Sequence, residues 1–133
     1  MSEIDTPTWL TERLVLVLHA ESLNRFGGTP GIRDQGLLES ALHRPRNRHA
    51  DEKSVSLAEL AAAYCFGLVK NHPFVDGNKR AGLLAARAFL FQNGYRFEPD
   101  EAQTVQMIEG LAAGEVSEED LTTWIEEHTT PRA

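Results

Sequence analysis

Apolar residues recur at the spacing of one helix face along almost the whole chain. Before Gly27, the apolar positions 10, 14, 17 and 18 predict a first helix that Thr8 caps and that ends near Phe26. Asp34 predicts the start of a second helix, which should end before Pro45 because proline lacks a backbone donor and disfavours helical backbone in the residue before it. The polar stretch 43–56 is then expected to be a surface loop with room for a short helix.

Four more helices are predicted from residue 56 onward. Ser56 caps the first, which should break before Pro73 and pack closely on both sides because alanines fill many of its positions. The second, over residues 78–92, is apolar nearly all round, which predicts a central, buried helix. The last two are predicted over residues 100–113, opened by Pro99-Asp100, and 118–128, capped by Ser117.

Residues 27–31, Gly-Gly-Thr-Pro-Gly, are the strongest helix-breaking cluster and predict a loop or a tight hairpin. Beyond this 27–33 turn, no segment has a convincing β pattern, and the chain has no repeat or low-complexity tract. The predicted fold class is all-α: a single domain, residues 1–133, with helices packed around a central buried helix and a short hairpin.

Composition places the chain among ordinary globular domains. Its 133 residues are 41% hydrophobic and carry a net charge of −7. Cys65 is the single cysteine, which excludes an internal disulfide framework and a cysteine-built zinc site. No apolar run approaches the roughly 18 residues of a membrane span. Because the first residues also lack the basic and apolar segments of a secretory signal, we expect a cytoplasmic protein that does not bind membranes.

The charge is distributed unevenly along the chain. Residues 97–133 hold ten acidic residues and one basic residue, a net charge of −9, whereas residues 70–96 hold five basic residues and one acidic residue. Because the chain is acidic and only its middle is cationic, we do not expect it to bind nucleic acid over its whole surface. It favours one compact anion as a ligand.

Candidate chemistry is concentrated in residues 72–80, which read His-Pro-Phe-Val-Asp-Gly-Asn-Lys-Arg between two strongly apolar helices. His72 is a proton acceptor near neutral pH, Asp76 is a hard oxygen ligand for Mg²⁺, and Gly77 lets backbone N–H groups approach an anion. Three more residues fall on the first helical turn, where free N–H groups favour phosphate: Asn78, Lys79 and Arg80. Together these groups are typical of phosphoryl or nucleotidyl transfer.

Each of these residues also has a structural interpretation when it is taken alone. A histidine before a proline is usually a surface or capping residue, and Asp-Gly-Asn is a common turn. Lys79 and Arg80 suit a solvated helix start, and Phe74 and Val75 are expected to be core anchors of the loop under either interpretation. The joint spacing of these residue types, rather than any one of them, favours a functional site.

Residues 72–80 resemble the active-site motif of the Fic/Doc superfamily, which reads His-Pro-Phe-x-(Asp/Glu)-Gly-Asn-x-Arg. In the branch that transfers AMP to target hydroxyls, glycine stands at the position of Lys79 and a second arginine at the position of Leu83. The lysine and leucine found here look like the Doc branch, the death-on-curing toxins. Residues 27–45 and 112–125 are also similar to family segments, so that the resemblance covers roughly residues 9–128.

The resemblance implies a role for each matching residue. His72 would be the general base for a target hydroxyl, and Asp76 would hold the Mg²⁺ that bridges the nucleotide phosphates. The anion site would comprise Gly77, Asn78, Lys79 and Arg80. In Doc-like proteins a lysine fills the room that glycine leaves for an α-phosphate, and the γ-phosphate of ATP faces the histidine. A threonine of elongation factor Tu is then phosphorylated, and translation stops.

A target-docking flap is the next feature that the resemblance implies. It would bind the target chain by strand addition through Gly28, Thr29, Pro30, Gly31, Ile32 and Arg33. A simple interhelical turn is the alternative for this segment. Some Doc-like proteins also hold phosphate with a polar residue at the position of Leu84. Arg87 is a candidate substitute for it here, with a structural ion pair as the alternative.

The implied inhibitor is a separate, cognate antitoxin. Fic enzymes that restrain themselves carry a Ser/Thr-x-x-x-Glu-Gly/Asn segment; Thr8 and Glu12 match its first half, but Arg13 follows. Because the chain has no complete copy, we expect an antitoxin whose C-terminal segment folds as it docks on the toxin.

The leading hypothesis is therefore a toxin kinase that uses ATP and Mg²⁺. AMP transfer to a protein hydroxyl is one alternative, which Lys79 and Leu83 argue against. A non-catalytic binding module with a decayed site is another. Nucleic-acid binding is the weakest rival, because only residues 44–48 cluster arginines and no aromatic residues interleave with them.

Overall fold

The computed structural model describes residues 6–133, and this part of the chain folds into six helices and one short two-stranded sheet. The helices are α1 (Glu12–Phe26), α2 (Gln35–Asp51), α3 (Leu57–Asn71), α4 (Asn78–Gln92), α5 (Glu101–Ala112) and α6 (Glu118–Glu127). The strands are β1 (Tyr95–Phe97) and β2 (Thr129–Pro131), antiparallel with Tyr95 opposite Pro131. The predicted all-α fold class is confirmed. None of the helices within residues 6–133 is long and apolar enough to span a membrane.

Helix α3 lies at the centre of the bundle, packed against α2, α4, α5 and α6. Small residues allow this close approach: a Cβ at Gly67 would lie 3.2 Å from Cα of Ala41 in α2. On the other side, a Cβ at Gly82 of α4 would lie 3.0 Å from the carbonyl oxygen of Cys65. The prediction that this helix packs on both sides is confirmed. The prediction that α4 is the central, buried helix was wrong, because α4 exposes Arg87 and the ring of Phe91.

Helix α2 is longer than predicted, because it continues through Pro45 to Asp51. The buried stripe of α2 runs on past the proline to His49, and this burial offsets the hydrogen bond that proline cannot donate. Its charged residues also find partners on other helices. Arg44 pairs with Glu118 of α6, and Arg48 Nη2 lies 2.9 Å from Glu59 Oε2 of α3. The predicted loop over residues 43–56 was therefore wrong for all but its last few residues.

Both ends of the described chain are tied to the region where α4 ends. Thr11, not Thr8, caps α1: its side chain accepts from the amide of Leu14. Thr8 instead exchanges two hydrogen bonds with the side chain of Asn93, at 2.8 and 3.0 Å. Strand β1 follows immediately and pairs with β2. The sequence analysis missed this sheet because each strand is only three residues long and the two are far apart in the chain.

The segment between α1 and α2 lies against the loop between α3 and α4. Ile32 forms an isolated antiparallel bridge with Phe74, and the amide of Val75 donates to the carbonyl of Gly31 at 3.0 Å. We call residues 28–33 the flap. The flap is thus held against the loop that carries the candidate chemistry.

Candidate active site

A cleft of about 740 Å³ lies where α3 ends, α4 begins and α5 packs beside them. This volume is within the usual range for small-molecule sites. The structure brings the predicted chemistry together here, since its lining includes His72, Asp76, Gly77, Asn78, Lys79 and Arg80. Helix α5 adds apolar surface from Val105 and Ile108.

His72 follows the last residue of α3 and adopts a left-handed backbone conformation, with φ 54° and ψ 54°. Among residues 6–133 it is the single non-glycine residue with positive φ. Residues other than glycine rarely adopt this backbone conformation, because their Cβ atom crowds the neighbouring backbone. The turn nevertheless leaves the imidazole exposed at the cleft, where it can meet a substrate.

The start of α4 is built differently from the start of every other described helix. A side-chain oxygen caps each of the other five, from Thr11, Asp34, Ser56, Asp100 and Ser117. At α4 the cap position is Gly77, with φ 78°, and no side chain from the described residues caps the helix. The first amides of α4 therefore have no partner within the helix, and the residues that carry them line the cleft. This arrangement suits an anion.

Backbone amides hold both oxygens of the Asp76 carboxylate. Oδ1 accepts from the amide of Gly77 at 2.9 Å, and Oδ2 accepts from the amide of Thr29 in the flap at 3.1 Å. Residues 6–133 contain no cluster of three or more metal-binding side chains. A single hard carboxylate beside an uncapped helix start fits Mg²⁺, which proteins often bind through one or two carboxylates, substrate phosphates and water.

Asn78 and Phe74 fix the shape of the loop. The side-chain amide of Asn78 is buried; it donates to the carbonyl of Phe74 and accepts from its N–H, both at 2.9 Å. Because this side chain is buried and engaged with the loop, the backbone N–H of Asn78, at the start of α4, is the group best placed to meet a ligand in the cleft. Phe74 is fully buried, as expected of a core anchor, and stacks on the ring of His19, with centroids 3.7 Å apart. The same expectation for Val75 was wrong, because its side chain is exposed.

His19 is a supporting residue that the sequence analysis missed. Its Nε2 lies 2.8 Å from the carbonyl oxygen of Asp76, which only accepts, so Nε2 carries the proton. The available signal was a histidine four residues after Val15 on the buried face of α1. That signal alone does not separate a supporting role from an ordinary core position.

The two cations of the predicted anion site have partners that the sequence analysis also missed. Lys79 Nζ lies 3.0 and 2.9 Å from the carboxylate oxygens of Glu109 in α5, and both residues line the cleft. The guanidinium of Arg80 lies over the ring of Phe26, 3.9 Å from its centroid. Neither contact has a local signature, because each partner is more than a helix away in the chain.

The flap residues contact the loop at several points. A Cβ at Gly28 would lie 3.1 Å from Oδ2 of Asp76, so glycine permits the approach that lets the neighbouring amide donate to this carboxylate. Pro30 lines a separate groove between the flap and α1. Arg33 points back at the loop: its Nε donates to the carbonyl of His72 at 2.7 Å.

Two residues of α4 that were singled out from the sequence lie in different surroundings. Leu83 lines the cleft. Arg87 does not; its Nε donates to the carbonyl of Phe97 at 3.2 Å, and its guanidinium lies over the Phe97 ring. The suggestion that Arg87 substitutes for a phosphate-binding residue was wrong. Its role is structural, through a carbonyl and a ring.

Comparison of the chain with known proteins points to the same family as the 72–80 motif does. A family model described as the Fic/DOC family matches residues 9–90. The chain is 35% identical over 103 residues to "Protein kinase doc" of Escherichia phage P1, covering 77% of this chain and 81% of that protein. It is 41% identical over 85 residues to "Toxin Doc" of Mycolicibacterium smegmatis, covering 63% of this chain and 65% of that protein. The chain belongs to the Fic/DOC family, and these relatives confirm its resemblance to the Doc branch.

Proposed function

We propose that this protein is the toxin of a toxin–antitoxin pair and a kinase that transfers the γ-phosphoryl group of ATP to a threonine hydroxyl of a protein. One observation carries the proposal: His72, Asp76 and the uncapped start of α4 line the same cleft. A base, a ligand for Mg²⁺ and an anion site are the parts that phosphoryl transfer needs. The names of the two relatives, a protein kinase and a toxin, support both halves of the proposal.

In this proposal the phosphates of ATP bind at the start of α4. The free amides of the first turn donate to phosphate oxygens, and Lys79 and Arg80 add positive charge from the same turn. Asp76 holds Mg²⁺, which neutralises phosphate charge when it is bound. The apolar surface of α5 at Val105 and Ile108 suits the nucleoside.

The transfer step has a simple balance of bonds and protons. The target hydroxyl oxygen forms a bond to the γ-phosphorus while the bond from that phosphorus to the β,γ-bridging oxygen breaks, and ADP leaves. The hydroxyl proton moves to the imidazole of His72, which is exposed at the cleft and therefore accessible to a target chain. The start of α4 and its cations stabilise the charge that develops on the phosphoryl oxygens.

Two residues favour phosphate transfer over AMP transfer. Lys79 occupies the place where a glycine would let an α-phosphate lie against the backbone, and Leu83 puts an apolar side chain on the cleft wall where the AMP-transferring branch has an arginine. Both changes disfavour holding the α-phosphate next to His72.

The proposal also includes a target-docking role for the flap and two protein partners, a target and an antitoxin. Residues 28–33 would dock the target chain, and elongation factor Tu is the target that the family resemblance implies. The isolated β-bridge between Ile32 and Phe74 shows that the flap backbone can pair as a strand does, which suits strand addition. The chain would be held inactive by a cognate antitoxin whose C-terminal segment folds on it.

Expression in cells tests whether the site is catalytic. The variants His72→Ala and Asp76→Ala are expected to lose toxicity, whereas His43→Ala should keep it. His43 is a suitable control because it is an exposed histidine on α2 that contacts the carbonyl of Glu39 and does not line the cleft. If both site variants stay as toxic as the parent at equal protein levels, the protein acts as a binding module instead.

A further inference from the structure

The flap caps the end of α3 through one arginine. Arg33 Nε donates to the carbonyl of His72 at 2.7 Å, and Nη2 donates to the carbonyl of Asn71 at 3.0 Å. The backbone amides of Arg33 and Asp34 donate to the next carbonyl, that of Pro73, at 2.6 and 3.0 Å. Three consecutive carbonyls, of residues 71–73, are thus bound from the flap.

The carbonyls of Asn71 and His72 are ones that helix α3 cannot satisfy by itself, because its last turn has no following helical amides to donate to them. Carbonyl oxygens at this end also carry the negative pole of the helix dipole, so a guanidinium is favoured there. Arg33 can serve two carbonyls at once because its donors form a rigid fork. Arg33 therefore supplies the hydrogen-bond donors that the carbonyls of Asn71 and His72 lack at the end of α3.

The residue that follows the last turn of α3, His72, also has a strained backbone conformation. His72 keeps a left-handed backbone, and conformations of this kind persist only where the surroundings hold them. The side chain of Arg33 holds this same residue, because its Nε donates to the backbone carbonyl of His72. Arg33 does not line the cleft and so does not meet the nucleotide directly.

We propose that Arg33 is a positioning residue for His72: its guanidinium holds the carbonyls of Asn71 and His72 so that the imidazole stays at the cleft. The catalytic consequence rests on the proposed function, whereas the hold on the loop does not. Since Arg33 is part of the flap, occupation of the flap by a target chain bears directly on the position of the base.

The test compares Arg33→Ala and Arg33→Lys with the unchanged protein. The backbone bonds to Pro73 survive in both variants, so only the guanidinium contacts are removed. Lysine keeps the charge but offers a single ammonium in place of the fork. Arg96→Ala is the control, because Arg96 is an exposed arginine on β1 that does not line the cleft. Thermal unfolding of each variant reports whether the whole fold is intact.

Amide hydrogen exchange at His72 and Val75 is the first readout, and it needs neither ATP nor a target. In Arg33→Ala we expect exchange at these amides to rise about tenfold, with a smaller rise in Arg33→Lys and none in Arg96→Ala. Unchanged exchange in Arg33→Ala overturns the proposal. Faster exchange throughout the protein together with a lower melting temperature also overturns it, because Arg33 is then a general stabiliser.

Steady-state transfer of phosphate to the target is the second readout. In Arg33→Ala we expect kcat to fall about tenfold while KM for ATP changes less than about twofold, since Arg33 lies outside the cleft. A raised KM with unchanged kcat overturns the positioning role. If the unchanged protein transfers no phosphate, the proposed function fails, and the exchange readout alone decides for or against Arg33.

Discussion

Replacing Glu109 with glutamine is expected to tighten ATP binding. Lys79 Nζ sits between the two oxygens of Glu109 at 2.9 and 3.0 Å, so this carboxylate takes up two of its three donors and competes with a phosphate for its charge. The two side chains are 50% and 61% exposed, and an ion pair in such surroundings is worth about 0.2–1 kcal/mol. Releasing the lysine should therefore lower Kd for ATP by about 1.5- to 5-fold. Removing a negative charge from the cleft acts in the same direction.

Isothermal titration of ATP with Mg²⁺ into the purified protein measures this effect. Glu101→Gln is the charge-matched control, because Glu101 is an exposed acid on the same helix that does not line the cleft. The gain in Glu109→Gln should shrink as salt is added, since both side chains are partly in water. An unchanged or weaker affinity in Glu109→Gln, relative to this control, would refute the reasoning and make Glu109 a favourable contact of the ligand.

Three further predictions concern packing, the anion site and pH. Gly82→Ala places a Cβ 2.8 Å from Val69 Cγ2 and 3.0 Å from a backbone oxygen, so urea denaturation should give a loss of about 1–3 kcal/mol, and an unchanged midpoint would contradict the tight α3–α4 contact. Phe26→Leu removes the ring beneath Arg80 and should weaken ATP binding by about 2- to 5-fold, whereas Phe26→Trp should not; equal affinities would show that the ring does not orient the cation. Burial raises the pKa of Cys65 from 9.0 to about 12, so the unfolded thiol loses its proton first and stability should fall as pH rises through this interval; an equal fall in Cys65→Ala would contradict the assignment.

Features that depend on neighbouring residues could be predicted from the sequence. Asp34 and Ser56 cap the helices that follow them, as expected, because capping involves residues only three positions apart. Helix α4 has the predicted bounds, 78–92, since an apolar stretch and the Asn93-Gly94 stop define it locally. Six residues of the 72–80 motif, His72 and residues 76–80, line one cleft because they fall on one loop and one helical turn.

Features that depend on distant partners could not be predicted. In the sequence, the second half of α2 resembles a charged loop. Only the folded structure places Glu118 and Glu59 beside its arginines. Glu109 reaches the cleft from elsewhere in the chain, and nothing in its own surroundings marks it out. Arg33 was expected in the flap, but its hydrogen bond to the carbonyl of His72 has no local signature. The acidic C-terminal quarter therefore supplies partners to basic residues of the bundle as well as exposed surface.

The central claim is tested most directly by following label from ATP into elongation factor Tu. The purified protein, with Mg²⁺, should transfer label from γ-labelled ATP and none from α-labelled ATP, and His72→Ala should transfer neither. Label that enters the target only from α-labelled ATP would contradict the claim and establish AMP transfer. Absence of label from both donors would contradict transfer to this target.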